Sequence, residues 1–176
     1  PDTVVVYQAY RRSIAQPAVQ AQRFTAAPAY STDRMTWIKP GFMWMMYRSG
    51  WASKPDQECI LAVHLNKSWL FDTLRSKAVL SVHNSAGKTK GHDVVVQWDP
   101  DHDYLGQKLE RRAIQIGLRG QAAAEYADGV AGPAVMKIED ITMYVCYLRN
   151  EVVNKLQVPC AEVQRHKASL GVPEKE

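Results

Sequence analysis

Residues 34–51, RMTWIKPGFMWMMYRSGW, hold three of the chain's five tryptophans, four of its six methionines and three cations. So dense a run of large apolar side chains has to be covered, and the rest of the chain has to be arranged around it. Pro40 suits the first turn of a helix, where its missing N–H costs nothing. Gly50 suits the position just past a helix end. Between them Phe42, Met43, Trp44, Met45, Met46 and Tyr47 leave no polar face. A helix apolar all round is a buried helix, and this one is far shorter than the ~20 residues that cross a bilayer. The pattern predicts a buried central helix over residues 40–49. Arg34 and Lys39 precede it and Arg48 closes it, with Lys39 close to a helix N-terminus that attracts anions.

A length of 176 residues fits one domain. Apolar residues make up 46% and charged residues 23%, ordinary values for a globular chain, and no apolar run suits a membrane helix. Cys59, Cys146 and Cys160 are too few and too scattered for a disulfide framework or a zinc site. Their odd number favours a reducing compartment, and with no signal-peptide pattern the expected location is cytoplasmic. A net charge of +4 is compatible with a nucleotide or nucleic-acid partner without requiring one. Oligomeric state is left open.

β-branched, continuous runs predict strands at residues 4–8, 58–65, 78–83, 94–98 and 112–118. A further strand or helix lead-in is expected at 135–138. Helices are expected over 14–24 behind Ser13 as N-cap, over 68–76, over 121–126, and from Asp140 through Leu156, where apolar residues recur at helical spacing. Asp99 and Pro100 are expected to stop the fourth strand, and residues 84–93 to form an exposed hairpin loop. Strands mixed with short helices without strict alternation predict an α+β domain, mainly antiparallel or mixed in its sheet, over residues 1–157. Residues 158–176 are polar and turn-rich, an extended or frayed tail.

Common catalytic signatures are missing: the sequence has no Gly-x-Gly-x-x-Gly, phosphate-binding loop, His-Glu-x-x-His or Gly-x-Ser-x-Gly. Asp99, Asp101, Asp103 and Glu110 match the spacing of a calcium loop, but Tyr104 stands where that loop needs Gly. The plainer reading is an acidic turn, and no metal is expected, at these residues or at His83, His92 and His102. Cys59 and His64 lie in an apolar strand and read as core residues. What remains is a basic and aromatic set. Arg34, Lys39, Arg48 and Arg112 adjoin strongly apolar elements, with Tyr7, Tyr10, Trp37 and Gln115 near strand ends or on strand faces. Arginine grips phosphate through two parallel hydrogen bonds, and aromatic rings stack on bases. For any one cation alone, solvation or pairing with Asp33, Asp56 or Glu58 is the plainer reading. Arg34 and Lys39 are expected to share one anion. Arg48, ~15 Å away along the helix, would meet a second group or an internal acid.

Several segments carry a resemblance: VYQAY at 6–10, RMTWIKP at 34–40, FMWMMYRSGW at 42–51, QWDP at 97–100, IQIGL at 114–118 and DIT at 140–142. Over residues 4–148 the chain resembles the domain-of-unknown-function family 4291. The family brings no activity with it, so function rests on the residues. The leading expectation is an enzyme on a nucleotide-like or other anionic substrate, a transferase similar by fold analogy to ADP-ribosyltransferases and using NAD as substrate. In that reading Arg34, Lys39, Arg48 and Arg112 bind anions and Tyr7, Tyr10 or Trp37 stacks on a ring. Tyr10, Glu58 and Gln115 are the candidates for chemistry. The alternatives are a non-catalytic RNA- or nucleotide-binding module and a specialised-metabolism enzyme that binds a carboxylate through Arg48.

Overall fold

A backbone bridge joins two sheets. In the computed structural model, which describes residues 2–81, 89 and 91–153, β1 (Thr3–Tyr10), β3 (Cys59–Asn66) and β7 (Val135–Asp140) form an antiparallel sheet in the order β1-β3-β7. A second sheet runs in the order β2-β6-β5-β4, from β2 (Thr36–Ile38), β4 (Ala78–Leu80), β5 (Val94–His102) and β6 (Lys108–Leu118). Its β4–β5 pair is parallel and the other pairs are antiparallel. The bridge joins Tyr7 to Lys39, with Tyr7 N donating to Lys39 O at 2.8 Å and Lys39 N to Tyr7 O at 3.3 Å. The domain is α+β, as the mixture of elements predicts.

Alternation along the strands decides what each face covers. Val6 of β1 and Leu61, Val63 and Leu65 of β3 face the larger core, with Ile116 and Leu118 of the second sheet. The helices α1 (Arg12–Ala21) and α4 (Gly120–Ala127) close that core with Ala15, Ala18, Ala122 and Tyr126. The opposite face of β1 and β3, with Tyr7, Ala9 and Ile60, meets a smaller core of Met45, Met46 and Val145. Those residues come from α2 (Phe42–Ser49) and α5 (Thr142–Leu148). β3 is covered on both sides, so Cys59–Val63 reads as a continuous apolar run.

Local departures from expectation have local causes. α2 starts at Phe42, with Gly41 as its N-cap and Pro40 outside the helix; Gly50 ends it in the left-handed region at φ 58°. The helix is not buried all round. Trp44, Met45 and Met46 are buried while Tyr47 and Arg48 face outward, because the smaller core covers only one side of it. α1 begins at Arg12 behind Arg11, not Ser13, and contains Pro17; it stops at Gln22, whose φ of 55° breaks the helical path. β5 continues through Pro100 to His102. Among the described residues β4 pairs with Val94–Val96, so Pro100 lies beyond that pairing, where a missing N–H is tolerated. α5 starts at Thr142 with Ile141, not Asp140, as its N-cap; the Asp140 carboxylate, one residue earlier, accepts from Thr142 N at 2.9 Å. That helix passes into a π-type turn over Arg149–Val153. Of the loop expected over 84–93, residues 84–88 and 90 lie outside the described residues, as do His83, Cys160 and the tail over 158–176, while His92 N donates to Thr89 O at 3.3 Å in the part that is described. β2 was not expected, since its three residues are hidden inside the aromatic stretch.

Candidate functional site

A cavity of about 710 Å³ opens beside the bridge between the sheets. Each wall comes from a different element. The end of β1 supplies Gln8 and Tyr10, and the loop before β2 supplies Tyr30 and Arg34. β2 and its exit supply Trp37 and Lys39, α2 supplies Trp44 and Arg48, and the paired strands β5 and β6 supply Gln97 and Gln115. The volume lies in the range of ordinary small-molecule sites. Strand alternation explains the selection: Thr36 and Ile38 are buried in the core, so Trp37 between them turns the other way, into the cavity.

Lys39 is the distinctive group. It is only 8% exposed, and its ammonium donates to Trp37 O at 3.2 Å and lies 5.6 Å from the Trp44 ring centroid. Among the described residues no acid comes within 4.0 Å of it. Burial, with the Arg48 guanidinium as a second cause, pulls its pKa down to about 8, and Asp99 partly offsets this. An unpaired buried ammonium is costly and is expected where an anion is to be received. The same cavity is lined by Arg11, Arg34 and Arg48, none of which has an ion pair among the described residues. The Arg48 guanidinium makes a long contact, Nη1 donating to Gln57 Oε1 at 3.5 Å.

The floor is a fixed polar chain. Tyr126 donates to Gln8 Oε1 at 2.6 Å, and Gln8 Nε2 donates to the Trp37 carbonyl that also receives Lys39. Tyr10 and Tyr30 flank it, 6.2 Å apart between ring centroids, with Tyr30 hydroxyl to Thr36 hydroxyl at 2.9 Å. Burial raises the pKa of both phenols, so they stay protonated donors. On the far wall Asp99 accepts from Gln97 at 2.9 Å and from Gln115, which orients both amides.

Of the expected residues, the fold gathers Tyr10, Arg34, Trp37, Lys39, Arg48 and Gln115 around one space and separates three others. Tyr7 sits one residue from Gln8 and therefore on the opposite face of β1. It packs edge-on against Phe42 at 5.2 Å and lines a smaller pocket of about 370 Å³ with the His64–Glu139 pair. Only its backbone reaches the site, by holding Lys39. Arg112 is exposed on β6, three residues from Gln115 and so on the other face of that strand. Glu58 is exposed, and its carboxylate accepts from Asp56 N at 3.0 Å.

Arg48 influences Lys39, whereas Arg34 influences Tyr10 and Tyr30. Trp44 and Arg48 are four residues apart on one face of α2, and side chains on a helix lean toward its N-terminus. Both line the same cavity as Lys39. Sequence reading did not single out Tyr30, Trp44 or Tyr126 as site residues. Tyr126 is 118 positions from its partner Gln8, and no local signal connects them. Asp99 and Asp101 lie in a β-strand instead of a loop, and Asp103 holds the turn by accepting from Leu105 N and Gln107 N. Among the described residues no three His, Cys, Asp or Glu side chains are grouped to hold a metal, and no helix is long and apolar enough to cross a membrane.

A search of curated proteins finds no match to this sequence. The family model described as "Domain of unknown function (DUF4291)" matches residues 1–167, nearly the whole chain, and the protein belongs to that family.

Proposed function

We propose that the cavity binds an anionic, nucleotide-like small molecule and that the protein is a transferase acting on it, with NAD the first substrate to test. The observation that carries the binding reading is the buried Lys39 ammonium, which has no acid partner among the described residues and faces the cavity beside Arg48. Phosphate oxygens would supply the missing countercharge. Trp37 offers a stacking face, and the Gln8, Gln97 and Gln115 amides offer hydrogen bonds to a sugar or base.

ADP-ribosyl transfer would break the bond between ribose C1′ and the nicotinamide nitrogen, with the electron pair leaving on nicotinamide and ADP-ribose passing to a nucleophile. A carboxylate near the ribose would favour the positive charge that develops there. The acids at hand are Asp56 on the cavity wall and Asp99 behind Gln97 and Gln115. Tyr10 and Gln115 line the cavity and would orient the sugar, whereas Glu58 is not among the lining residues. A nucleic-acid strand fits less well, because the strongest unpaired charge lies on a buried floor instead of an open basic face.

Calorimetric titration with NAD, ADP, inorganic diphosphate and an oxo acid tests the binding reading. Micromolar binding of NAD or ADP, weakened at least tenfold in Lys39→Met, is the expected outcome. Absence of binding by NAD, ADP and diphosphate at millimolar concentration overturns it, and binding of the oxo acid alone favours the carboxylate enzyme. Release of nicotinamide from NAD, read by chromatography, tests the transfer step separately.

A further inference from the structure

Lys39 is the buried lysine among the described residues, and the fold fixes where its amine stands. The bridge to Tyr7 pins both its backbone N–H and its carbonyl, at 3.3 and 2.8 Å. The amine donates to the Trp37 carbonyl at 3.2 Å and lies 5.6 Å from the Trp44 ring centroid. No acid stands within 4.0 Å of it among the described residues. The other charged side chains that line the cavity are Arg11, Arg34, Arg48 and Asp56, so cations outnumber acids there. Burial and neighbouring positive charge both favour the neutral form of an amine. A lysine desolvated in this way, beside other cations, is a nucleophile toward carbonyl carbon. On losing its proton Lys39 keeps the hydrogen bond to Trp37, since two N–H groups remain, and gains a free electron pair.

We propose that Lys39 is the covalent nucleophile of the cavity and that its amine forms an imine with a small oxo acid whose carboxylate is held by the lining arginines. The nitrogen electron pair forms a bond to the carbonyl carbon, and the π pair of C=O moves to oxygen, which takes up a proton. The nitrogen then loses a proton, the oxygen takes up a second and leaves as water, and the nitrogen pair closes the C=N bond. No oxidant or reductant is consumed. The Tyr10 and Tyr30 phenols, kept protonated by burial, line the same cavity as proton donors. With burial bringing the Lys39 pKa to about 8, both forms of the amine are present near neutral pH. The protonated form pairs with an anion, and the neutral form attacks. A volume of about 710 Å³ admits such an acid with room to spare. Imine formation does not depend on the nucleotide reading, because it needs only the amine and a cationic wall.

Reductive trapping on the full chain tests this. Glyoxylate and pyruvate are the probes, cyanoborohydride fixes any imine as a secondary amine, and peptide mapping by mass spectrometry locates it. At pH 8 Lys39 is expected to be modified at least tenfold faster than the exposed Lys67 and Lys108. Propionaldehyde, which has no acid group, should show that preference reduced at least fivefold. Lys39→Met should lose the preferred adduct, with a melting curve to check that it folds; the map of the wild-type chain decides the matter if it does not. Modification of Lys39 no faster than of the exposed lysines overturns the proposal. An equal preference with propionaldehyde overturns the oxo acid as the substrate class. Titrations with NAD and ADP keep the two readings apart. Nucleotide binding without a preferred adduct at Lys39 overturns the covalent role and leaves the nucleotide reading intact. A preferred adduct without nucleotide binding supports the covalent role and overturns the nucleotide reading.

Discussion

Lys39 couples the site to the stability of the fold. Its folded pKa, about 8, lies below the ~10.4 of an unfolded lysine. Below pH 8 both states carry the proton, and the cost of burying the charge is present in full. Between pH 8 and 10.4 the unfolded chain binds the proton and the folded one releases it, so stability rises with pH in that window. The full change is roughly 3 kcal/mol for a depression of this size. Denaturant melts at pH 7 and pH 10 should therefore show a gain in wild type relative to Lys39→Met. Equal pH dependence in the two proteins would mean the ammonium is better solvated than the fold implies. A bound anion favours the protonated amine, so ligand affinity should fall as pH rises above about 8. Arg48 is exposed and held by a long contact. Arg48→Lys should thus shift stability by less than about 1 kcal/mol, while losing the planar fork and at least tenfold in affinity for a phosphate ligand. A large loss of stability with unchanged binding would make Arg48 a structural residue.

Among the elements, α2 and β2 form the site wall, and each can be tested alone. Trp44 is buried and supports Lys39 from below. Trp44→Ala should cost about 3–5 kcal/mol in denaturant melts. A cost under about 1 kcal/mol would show that α2 contributes little to the core. On β6, Gly117 lies opposite Trp37 in the strand pairing. A Cβ there would collide with the Met35 side chain and stand 3.1 Å from the Trp37 ring. Gly117→Val is expected to push Trp37 into the cavity, lowering ligand affinity at least fivefold and stability by about 1–3 kcal/mol through overpacking. Unchanged binding would show that Trp37 does not form the stacking wall.

At the scale of the molecule, long-range hydrogen bonds hold the layers in register. Gln22, at the end of α1, presents its side-chain amide to the edge strand β7. Nε2 donates to Ile138 O and Oε1 accepts from Ile138 N, both at 2.8 Å. The side chain thus acts as a substitute strand neighbour for a residue whose backbone would otherwise be unpaired. Gln22→Ala should cost about 2–3 kcal/mol by leaving the Ile138 groups without partners. Hydrogen exchange should show the Ile138 amide losing protection before the rest of β7. An unchanged melt would mean that water replaces the amide at no cost.

The sequence by itself determined the α+β class, most strands, and the concentration of cations and aromatic rings around residues 34–51, because composition and periodicity are local properties. It also held more than was drawn from it. Period-two alternation already separates Tyr7 from Gln8 and Arg112 from Gln115, and so places Tyr7 and Arg112 on the wrong faces for a shared site. Only the tertiary structure decided that the two sheets meet at Tyr7 and Lys39, that Tyr126 holds Gln8, and that Arg34, Lys39 and Arg48 line one cavity. Those outcomes follow from which apolar faces are buried against each other across long stretches of chain. Local propensity specifies a face, and the opposing surface that covers it is chosen only when the whole core closes.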